Sequence, residues 1–446
     1  MKTTFLIILN KLVSLVCKIF RKNGSVFPGS LVVPFDKNIL KKVKYPKYVI
    51  GITGSSGKGS TTSLVAHILK KAGFKVVWNK SGSNLVNAAV TLILNNTSIF
   101  THKLKCDVLL MELDESYITQ IFDKGTITHM LLTNITRDQP ARNGHPKIIL
   151  EKIQNSIGEN VHLIINADDP FINRFKYNHN GIITTYGIGK NEYSLEEKNR
   201  DSDDAQYCPL CHTKLEYEYF HYGHLGKYKC PNCEFERGKP DFEANDINLK
   251  RNFITINDSI IHLNKNIFFA VYYTLAAYTL CKTIGVQEEV LKDALNVDVM
   301  ESKRMKSLKI DGREIMMLES KNENALSYLQ SLNYIKEQDG VKTVILGFDN
   351  VSRRYKENDL SWLYDVDFSA LNDKSINRIF IIGRFKLDVR CRLFYDNIDS
   401  DKIVLIEDLD KLVDYIKNDS VGDIYTMVCF DMTAVIRKKV SEYNEN

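Results

Sequence analysis

Short runs of apolar and often β-branched residues alternate along the first half of the chain with segments whose apolar residues recur every three or four positions. The short runs cover residues 48–53, 74–78, 107–111, 129–133 and 162–165, and runs of this length and composition indicate buried strands. The intervening segments have the periodicity of amphipathic helices. Strands and helices that alternate in this way predict an α/β fold with a mostly parallel sheet and right-handed crossovers.

The second half of the chain continues this alternation. We expect, in order, a strand pair at 253–263, an apolar helix at 267–284, a short helix at 288–295, a hairpin at 309–318, and strands at 343–346, 378–382 and 425–430. The elements after a hinge near 300–304 predict a second, smaller α/β domain.

The first twenty residues contain an apolar stripe at helical spacing. Lys11 and Lys18 interrupt the apolar run and no small-residue cleavage site follows, which argues against a signal peptide. The run is also too short to cross a bilayer. We therefore predict an amphipathic helix packed on the domain, with contact to a membrane surface as the alternative. The stripe consists of Phe5, Ile8, Leu9, Leu12, Leu15, Val16 and Ile19.

Composition adds only broad limits. The 446 residues suffice for two or three domains, and 44% hydrophobic with 26% charged residues is typical of a globular protein. A net charge of +5, from 60 basic and 55 acidic residues, does not indicate a nucleic-acid partner. The nine cysteines form an odd set with one clustered quartet, which favours a reducing cytoplasm over a disulfide framework.

A glycine-rich loop joins the first predicted strand to the helix after it. Glycines allow backbone N–H groups to approach phosphate oxygens, and a helix N-terminus favours negative charge. Lys58 would grip the γ-phosphate of a nucleotide, and the hydroxyl of Ser60 or Thr61 would hold Mg²⁺. The pattern predicts a nucleotide-triphosphate site, with an ordinary tight turn as the alternative. The loop reads Gly54-Ser55-Ser56-Gly57-Lys58-Gly59-Ser60-Thr61.

Polar residues follow the later strands of the predicted sheet. The carboxyl ends of parallel strands form the edge where ligands of open α/β sheets bind. Glu112 ends the third strand and is predicted to hold Mg²⁺ opposite Ser60. Asn134 and Asp168 follow the next two strands and are predicted to lie near adenine or a second metal ion. The alternative for these two residues is ordinary turn capping.

Two C-x-x-C pairs lie within the first domain, separated by eighteen residues. Four thiolates satisfy tetrahedral Zn²⁺ and leave no open position, so the spacing predicts a structural zinc ribbon. A redox pair or two disulfides are the alternatives. The predicted ligands are Cys208, Cys211, Cys230 and Cys233.

Beyond these features, a series of short motifs occurs in order along nearly the whole chain. The series is Gly82-Ser83-Asn84-Leu85, Glu112-Leu113-Asp114-Glu115, residues 133–139 (TNITRDQ), residues 166–170 (NADDP), residues 222–226 (YGHLG), Arg304-Met305, Lys321-Asn322, residues 359–367 (DLSWLYDVD) and Gly383-Arg384. Together with the phosphate loop, this order resembles the MurT family, the Mur-ligase-like subunits of lipid II isoglutaminyl synthase. A loop near residue 54 also fits a chain without the UDP-binding domain that precedes it in amino-acid-adding Mur ligases.

The resemblance implies a reaction and a partner. In the family, ATP phosphorylates the α-carboxylate of D-glutamate in the lipid II stem peptide, and ammonia attacks the acyl phosphate to give D-isoglutamine. The resemblance implies a separate GatD-type glutaminase subunit as the source of ammonia, because no cysteine here lies on a glycine-flanked elbow. Asp359, or else Asp349, would complete the catalytic set of that partner. A solvated turn is the alternative for Asp359. Arg304 would reach the nucleotide from the hinge.

These features define the predicted domains and two rival functions. We expect an N-terminal helix and connector at 1–46, a Mur-ligase-type ATP domain at 47–300, a zinc-ribbon insert at 205–240 and a glutaminase-docking domain at 301–446. The form Lys58-Gly59-Ser60 also favours an amino-acid ligase of the Mur or folylpolyglutamate type that needs no partner. A non-catalytic ATP-gated scaffold is the third hypothesis. The expected location is the cytoplasm, or the inner membrane face through the lipid-linked substrate.

Overall fold

The computed structural model describes residues 2–80, 85–138, 144–197, 204–296, 305–320, 323–349 and 359–445. The chain forms two units. One comprises Met1–Ile135, Pro146–Glu197 and Ala205–Met300, and the other Thr136–His145, Lys198–Asp204 and Glu301–Asn446. The second unit thus includes two short segments that the sequence-based boundaries place in the first.

The first unit begins with two helices and continues as alternating strands and helices. Its elements are α1 (Lys2–Ile19), α2 (Phe27–Val32), β1 (Tyr48–Thr53), α3 (Lys58–Lys71), β2 (Val76–Trp78), α4 (Val86–Asn95), β3 (Val108–Glu112), α5 (Ile118–Ile121), β4 (His129–Leu132), α6 (Pro146–Ser156), β5 (His162–Asn166), α7 (Pro170–Asn173), β6 (Ile183–Ile188), β7 (Glu216–Tyr222), β8 (Leu225–Lys229), β9 (Phe242–Asn248), β10 (Phe253–Ile256), β11 (Ser259–His262), α8 (Phe268–Thr283) and α9 (Glu288–Leu295).

Nine of the described strands form one sheet in the order β11-β10-β9-β6-β5-β4-β1-β3-β2. From β2 to β9 the neighbours pair in parallel, and β10 and β11 form an antiparallel margin. The apolar runs pair in register, for example Ile50 with Leu110 and Ile52 with Leu131. The prediction of a mostly parallel sheet is confirmed. Because β1 is an interior strand, between β4 and β3, the loop that follows it lies on the carboxyl edge with strands on both sides.

The N-terminal helix forms as expected but packs through the opposite face. Leu6, Ile7 and Asn10 are buried, whereas Phe5 and Ile19 are exposed. The prediction that the apolar stripe packs on the domain is therefore wrong. The reason is that α4 presents polar partners for Asn10, and α2 and α4 both pack on α1.

The cysteine-rich insert lies in the parallel connection from β6 to β9. Its two strands, β7 and β8, form a separate antiparallel hairpin. The hairpin is tied to the main sheet, because the backbone N–H of Gly226 donates to the carbonyl of Asp168 (3.0 Å) and the hydroxyl of Tyr228 donates to Ala167 (2.9 Å). The insert is therefore integrated into the first unit.

The second unit contains a smaller sheet with helices between its strands. The elements are β12 (Met305–Ile310), β13 (Arg313–Glu319), α10 (Ala325–Glu337), β14 (Lys342–Gly347), β15 (Ile376–Ile382), α11 (Lys386–Tyr395), β16 (Ile403–Leu405), α12 (Leu412–Asn418), β17 (Asp423–Val428) and α13 (Phe430–Glu445). The strand order is β12-β13-β17-β14-β15-β16, antiparallel only between β12 and β13. The predicted second α/β fold is confirmed.

Across the described parts of the chain, no helix combines the length and the apolar character that a bilayer crossing requires.

Candidate functional site

The phosphate-binding loop is shaped by two glycines with positive φ. Gly54 has φ 132° and Gly57 has φ 82°, values that L side chains rarely adopt. A Cβ atom at Gly54 would lie 2.3 Å from the hydroxyl oxygen of Thr133, so the loop also needs glycine for close approach. Helix α3 then begins at Lys58, directly after Gly57. The first turn of a helix has backbone N–H groups without intrahelical partners, and the first turn of α3 comes directly after the loop, as an anion site requires.

Lys58 lies at the centre of the loop and is held in place by Glu115. The ammonium group donates to the carbonyl of Gly54 and lies 3.1 Å from Oε1 of Glu115. The same carboxylate oxygen accepts the backbone N–H of Gly54 at 3.0 Å. Glu115 therefore orients both the cation and the first glycine of the loop. Sequence reasoning singled out Glu112 from this acidic cluster and missed Glu115, whose only signal was its position three residues beyond the strand end.

Glu112 and Ser60 flank Gly59 at the start of α3. A Cβ atom at Gly59 would lie 3.4 Å from Oε2 of Glu112, so this carboxylate faces the first turn of the helix. The side chain of Asn79 fixes the backbone of Glu112 through two hydrogen bonds of 2.9 Å. The carboxylate of Glu112 and the hydroxyl of Ser60 offer oxygen ligands of the kind that Mg²⁺ prefers.

Of the two candidate hydroxyls, the structure favours Ser60. The hydroxyl of Thr61 is buried and donates back to the carbonyl of Gly57 at 2.9 Å. Ser60 is half-buried at the same turn. The sequence left the choice between these residues open, and only the local geometry of the helix start distinguishes them.

Asn134 grips the loop itself. Its carbonyl oxygen Oδ1 accepts the backbone N–H of Ser56 (3.0 Å), and its backbone carbonyl accepts the N–H of Ser55 (2.7 Å). Thr133 adds a hydrogen bond from its hydroxyl to the carbonyl of Ser56 (2.7 Å). Asn134 therefore shapes the phosphate loop from the end of the next strand of the sheet.

Asp168 lies in a buried hydrogen-bond network. It is fully buried, and its carboxylate accepts hydrogen bonds of 2.8 Å from Nε of Arg237, the hydroxyl of Tyr272 and the backbone N–H of Ile188. Burial alone lowers the pKa of the Arg237 guanidinium, but the carboxylates of Asp168 and Glu243 more than offset this and raise it. These contacts hold the carboxylate of Asp168 within the fold, and its role near adenine or a second metal ion stays a prediction.

The neighbouring Asp169 joins the insert to the strand edge beside the loop. Its Oδ1 caps α7 through the N–H of Phe171 (2.9 Å) and lies 3.2 Å from Nε2 of His224. Its Oδ2 accepts the backbone N–H of Ile135 (2.7 Å), the residue after Asn134. Asp169 and His224 are both buried, and the hydrogen bond from Asp169 to Ile135 positions the end of β4.

The four cysteines of the insert converge. Their sulfur atoms all lie within 4.8 Å of one another, with 3.6 Å between Cys208 and Cys233 and 3.4 Å between Cys211 and Cys230. A disulfide needs about 2.05 Å, whereas Zn–S bonds of about 2.3 Å in a tetrahedron place sulfurs roughly 3.8 Å apart. The N–H groups of Leu210 and Asn232 each point at a sulfur at 3.4 Å. This donor set fits a tetrahedral metal ion.

In the second unit, Asp359 begins a rigid turn. Its Oδ1 accepts the backbone N–H of Ser361 (2.8 Å), which starts the 3₁₀ turn Ser361–Asp365. Trp362 is buried against the rings of Tyr328 and Phe348. The half-buried Asp359 is therefore presented at the surface on an anchored segment. Asp349, the second candidate, is also half-buried.

The motif at 133–139 divides between the two units. Within the second unit, the guanidinium of Arg137 contacts both carboxylate oxygens of Asp365 at 3.0 and 3.2 Å. Asn324 donates to Asp138 (2.9 Å) and caps α10 by accepting the N–H of Ser327 (2.8 Å). These residues are structural in the described geometry. Arg304, Lys321, Asn322 and the 82–84 segment lie outside the described residues.

Comparison with known families agrees with this arrangement. Residues 52–234 match the Mur ligase middle domain, and residues 321–433 match the MurT ligase C-terminal domain. The first match spans the phosphate loop and the cysteine quartet.

Named relatives match over most of the chain. The lipid II isoglutaminyl synthase (glutamine-hydrolyzing) subunit MurT of Staphylococcus aureus (strain COL) is 29% identical over 378 residues, 83% of each chain. The subunit of the same name from Streptococcus pneumoniae (strain ATCC BAA-255 / R6) is 24% identical over 91% of this chain and 90% of its own.

Solved structures share the fold. A pseudomurein peptide ligase type C from Methanothermus fervidus superposes with a TM-score of 0.68 at 21% identity, covering 91% of this chain and 81% of that one. MurF from Thermotoga maritima, solved in complex with ADP, gives a TM-score of 0.58 at 16% identity, covering 92% and 83%.

Proposed function

The chain belongs to the MurT family of Mur-type ligases, and from this premise we propose that it amidates the α-carboxylate of D-glutamate in the lipid II stem peptide. The reaction consumes ATP and yields D-isoglutamine for peptidoglycan biosynthesis. The observation that carries the proposal is the loop cation Lys58, clamped by Glu115 at the start of α3. Such a site supports carboxylate activation by phosphoryl transfer.

The first step forms an acyl phosphate. A carboxylate oxygen of the substrate attacks the γ-phosphorus of ATP, and the bond to the β,γ-bridging oxygen breaks to release ADP. Lys58 and the N–H groups of the loop stabilise the charge on the transferred phosphoryl group. Ser60 and Glu112 would hold Mg²⁺, which supplies charge neutralisation at the phosphates.

The second step is aminolysis. Ammonia attacks the acyl carbon, inorganic phosphate leaves with the bonding electron pair, and the nitrogen loses a proton to give the amide. An acyl phosphate reacts readily with water, so Mur-type ligases benefit from a site that excludes it. From the sequence, Arg304 is predicted to reach the nucleotide from the hinge.

Ammonia would come from a separate glutaminase subunit of the GatD type. A glutaminase needs a reactive thiolate, whereas Cys17, Cys281 and Cys429 are buried. Burial, with a neighbouring aspartate, raises the pKa of Cys106 to about 11. Exposed Cys391 lies within a helix and not on an elbow. We propose that the turn bearing Asp359 docks the partner and completes its catalytic set.

We assign the cysteine quartet as a structural zinc site. A closed set of four thiolates leaves no position for substrate, so its loss would act through the fold. Replacing Cys230 by Ser should reduce bound zinc, measured by metal analysis of the purified protein, and lower the melting temperature. Cys391→Ser is the matched control and should retain both. Full zinc content in Cys230→Ser would contradict the assignment.

A second candidate is an amino-acid ligase that works without a partner. The loop form Lys58-Gly59-Ser60 favours it, and a UDP-N-acetylmuramoylalanine–D-glutamate ligase from Parasynechococcus marenigrum is 29% identical over 150 residues, 34% of this chain. The two reactions share the acyl phosphate and differ in the nitrogen that attacks it.

The decisive experiment presents lipid II and ATP to the full chain with and without a co-expressed glutaminase subunit. Glutamine, ammonium and free amino acids are supplied separately, and product masses are recorded. The proposal expects the small mass decrease that replacement of a hydroxyl by an amino group produces, with glutamine use dependent on the partner. ADP release and a mass increase with a free amino acid alone would favour the second candidate. Since lipid II is membrane-linked, the reaction would take place at the inner membrane face.

A further inference from the structure

Helix α1 presents a continuous apolar surface to solvent. Six residues define this outer apolar face, and each is between 37% and 67% exposed. At 100° per residue they fall within one sector of the helix, and no polar residue interrupts it. Isolated exposed apolar residues are ordinary, but a contiguous stripe marks an interaction surface. The outer apolar face consists of Phe5, Ile8, Leu12, Leu15, Val16 and Ile19.

The inner face explains why the helix cannot simply rotate to bury this stripe. Nδ2 of Asn10 donates to the carbonyl of Thr91 (3.2 Å) and to Oδ1 of Asn95 (2.9 Å). Asn95 in turn donates to the hydroxyl of Ser14 (2.9 Å). Rotation would leave these buried polar groups without partners. The first unit therefore fixes α1 with its apolar side outward.

The charge of this part of the chain is strongly one-sided. Residues 1–47 contain ten lysines and arginines and one acidic residue, Asp36, a net of +9 against +5 for the whole chain. The rest of the chain is therefore net negative. Asp36 is itself paired with Lys42 at 2.6 Å. Lys2, Lys18 and Arg21 border the outer apolar face at exposed positions.

We propose that the outer apolar face docks on an anionic phospholipid surface, with α1 lying in the plane of the interface. Apolar side chains enter the headgroup boundary while flanking lysines and arginines contact lipid phosphates. Phe20, Phe27 and Phe35, which follow in the sequence, are exposed as well. A second copy of this chain is disfavoured as the occupant, because two segments of net +9 would repel each other. The proposal does not rest on the amidation reaction.

The test measures flotation of the full chain with vesicles, without ATP or substrate. Vesicles of phosphatidylglycerol mixed with phosphatidylcholine are compared with phosphatidylcholine alone, at low and high salt. We expect binding to the anionic vesicles that weakens with salt. Phe5→Glu/Ile19→Glu should reduce binding at least about tenfold, since each buried apolar side chain contributes substantially. Ile182→Glu/Phe394→Glu is the control, with equally exposed apolar residues elsewhere.

Three outcomes would overturn the proposal. They are failure of the parent chain to bind anionic vesicles, equal loss in the control pair, and a parent dimer in sedimentation that Phe5→Glu/Ile19→Glu converts to monomer. The last result would assign the face to a second copy. Unchanged melting temperature and ATP affinity verify that each variant is folded. A Lys18→Glu/Arg21→Glu/Lys22→Glu variant should bind several-fold less and lose its salt dependence.

Discussion

Two clusters of polar residues follow strands of the same sheet, yet they have opposite characters. At the end of β1, Lys58 and Glu115 meet beside the exposed Gly59 and the half-buried Ser60. At the end of β5, Asp168 is completely buried and saturated by hydrogen bonds. In the sequence both look alike, as polar residues after a buried apolar run.

The difference comes from what covers each strand end. The cysteine-rich insert brings Arg237 and His224 over the end of β5. Arg237 pairs with Asp168 and His224 lies against Asp169, so both aspartates hold the fold together internally. The end of β1 is followed directly by the phosphate loop and the N-terminus of α3, where Gly59 is exposed and Ser60 half-buried. A strand-end carboxylate therefore indicates a ligand site only when no later segment of the chain supplies its partner.

The largest effect should come from Asp168→Ala. It leaves the guanidinium of Arg237 buried without its main partner, which should lower the free energy of unfolding by about 3–5 kcal/mol. Urea denaturation followed by circular dichroism measures this. Glu243→Ala, which removes the more exposed partner of the same arginine, should cost clearly less. A stable Asp168→Ala protein that fails to bind ATP would reverse the assignment of the two clusters.

Lys58→Met should affect turnover more than stability, the reverse of what is expected for Asp168→Ala. Removing a cation that stabilises the transferred phosphoryl group should reduce ATP-dependent turnover by about 10²–10³-fold. The unfolding free energy should fall less than in Asp168→Ala, because the carboxylate of Glu115 keeps the backbone N–H of Gly54 as a partner. Steady-state kinetics with lipid II gives the rate. Lys70→Met, an exposed lysine on the same helix, serves as the control and should keep parental turnover. Equal losses in the two variants would remove Lys58 from the proposed site.

Glu115→Gln tests whether the acid positions the cation. The amide still reaches Gly54 but no longer pairs with Lys58, so turnover should fall about tenfold, the value of one weakened charge-assisted hydrogen bond. The split between kcat and the KM for ATP locates the loss. Glu151→Gln, an exposed acid on α6, should behave as the parent. Parental kinetics in Glu115→Gln would show that Lys58 needs no anchor.

The smallest expected effect concerns His129, at the amino-terminal end of β4. Burial, followed by the proximity of His162, lowers the pKa of His129 to about 4. The unfolded chain therefore binds the proton first, and stability should be lost as pH falls from about 6.5 toward 4, by about 1–2 kcal/mol at pH 5. His129→Gln should flatten this dependence in urea melts at pH 7 and pH 5. ATP affinity should not follow the same curve, since His129 begins β4 and the loop lies at the other end.

Much of the fold could be read from local patterns. The parallel strands, the helix after the loop and the hairpin around Asp311-Gly312 all follow from periodicity and turn chemistry, which act over a few residues. The quartet of Cys208, Cys211, Cys230 and Cys233 was predictable for the same reason, because its spacing is a local geometric requirement. The glycines of the phosphate loop were predictable from local sequence as well.

Other features depend on residues far apart in the chain. Asp168 meets Arg237, 69 positions later, and Asn10 meets Asn95, 85 positions later. The first pairing holds the carboxylate of Asp168 within the fold, and the second turns the predicted core stripe of α1 outward. The sequence by itself determined the strands, the phosphate loop and the cysteine set. The tertiary structure alone decided which polar groups stay accessible and which face of α1 is exposed, because burial depends on distant surfaces that no local pattern contains.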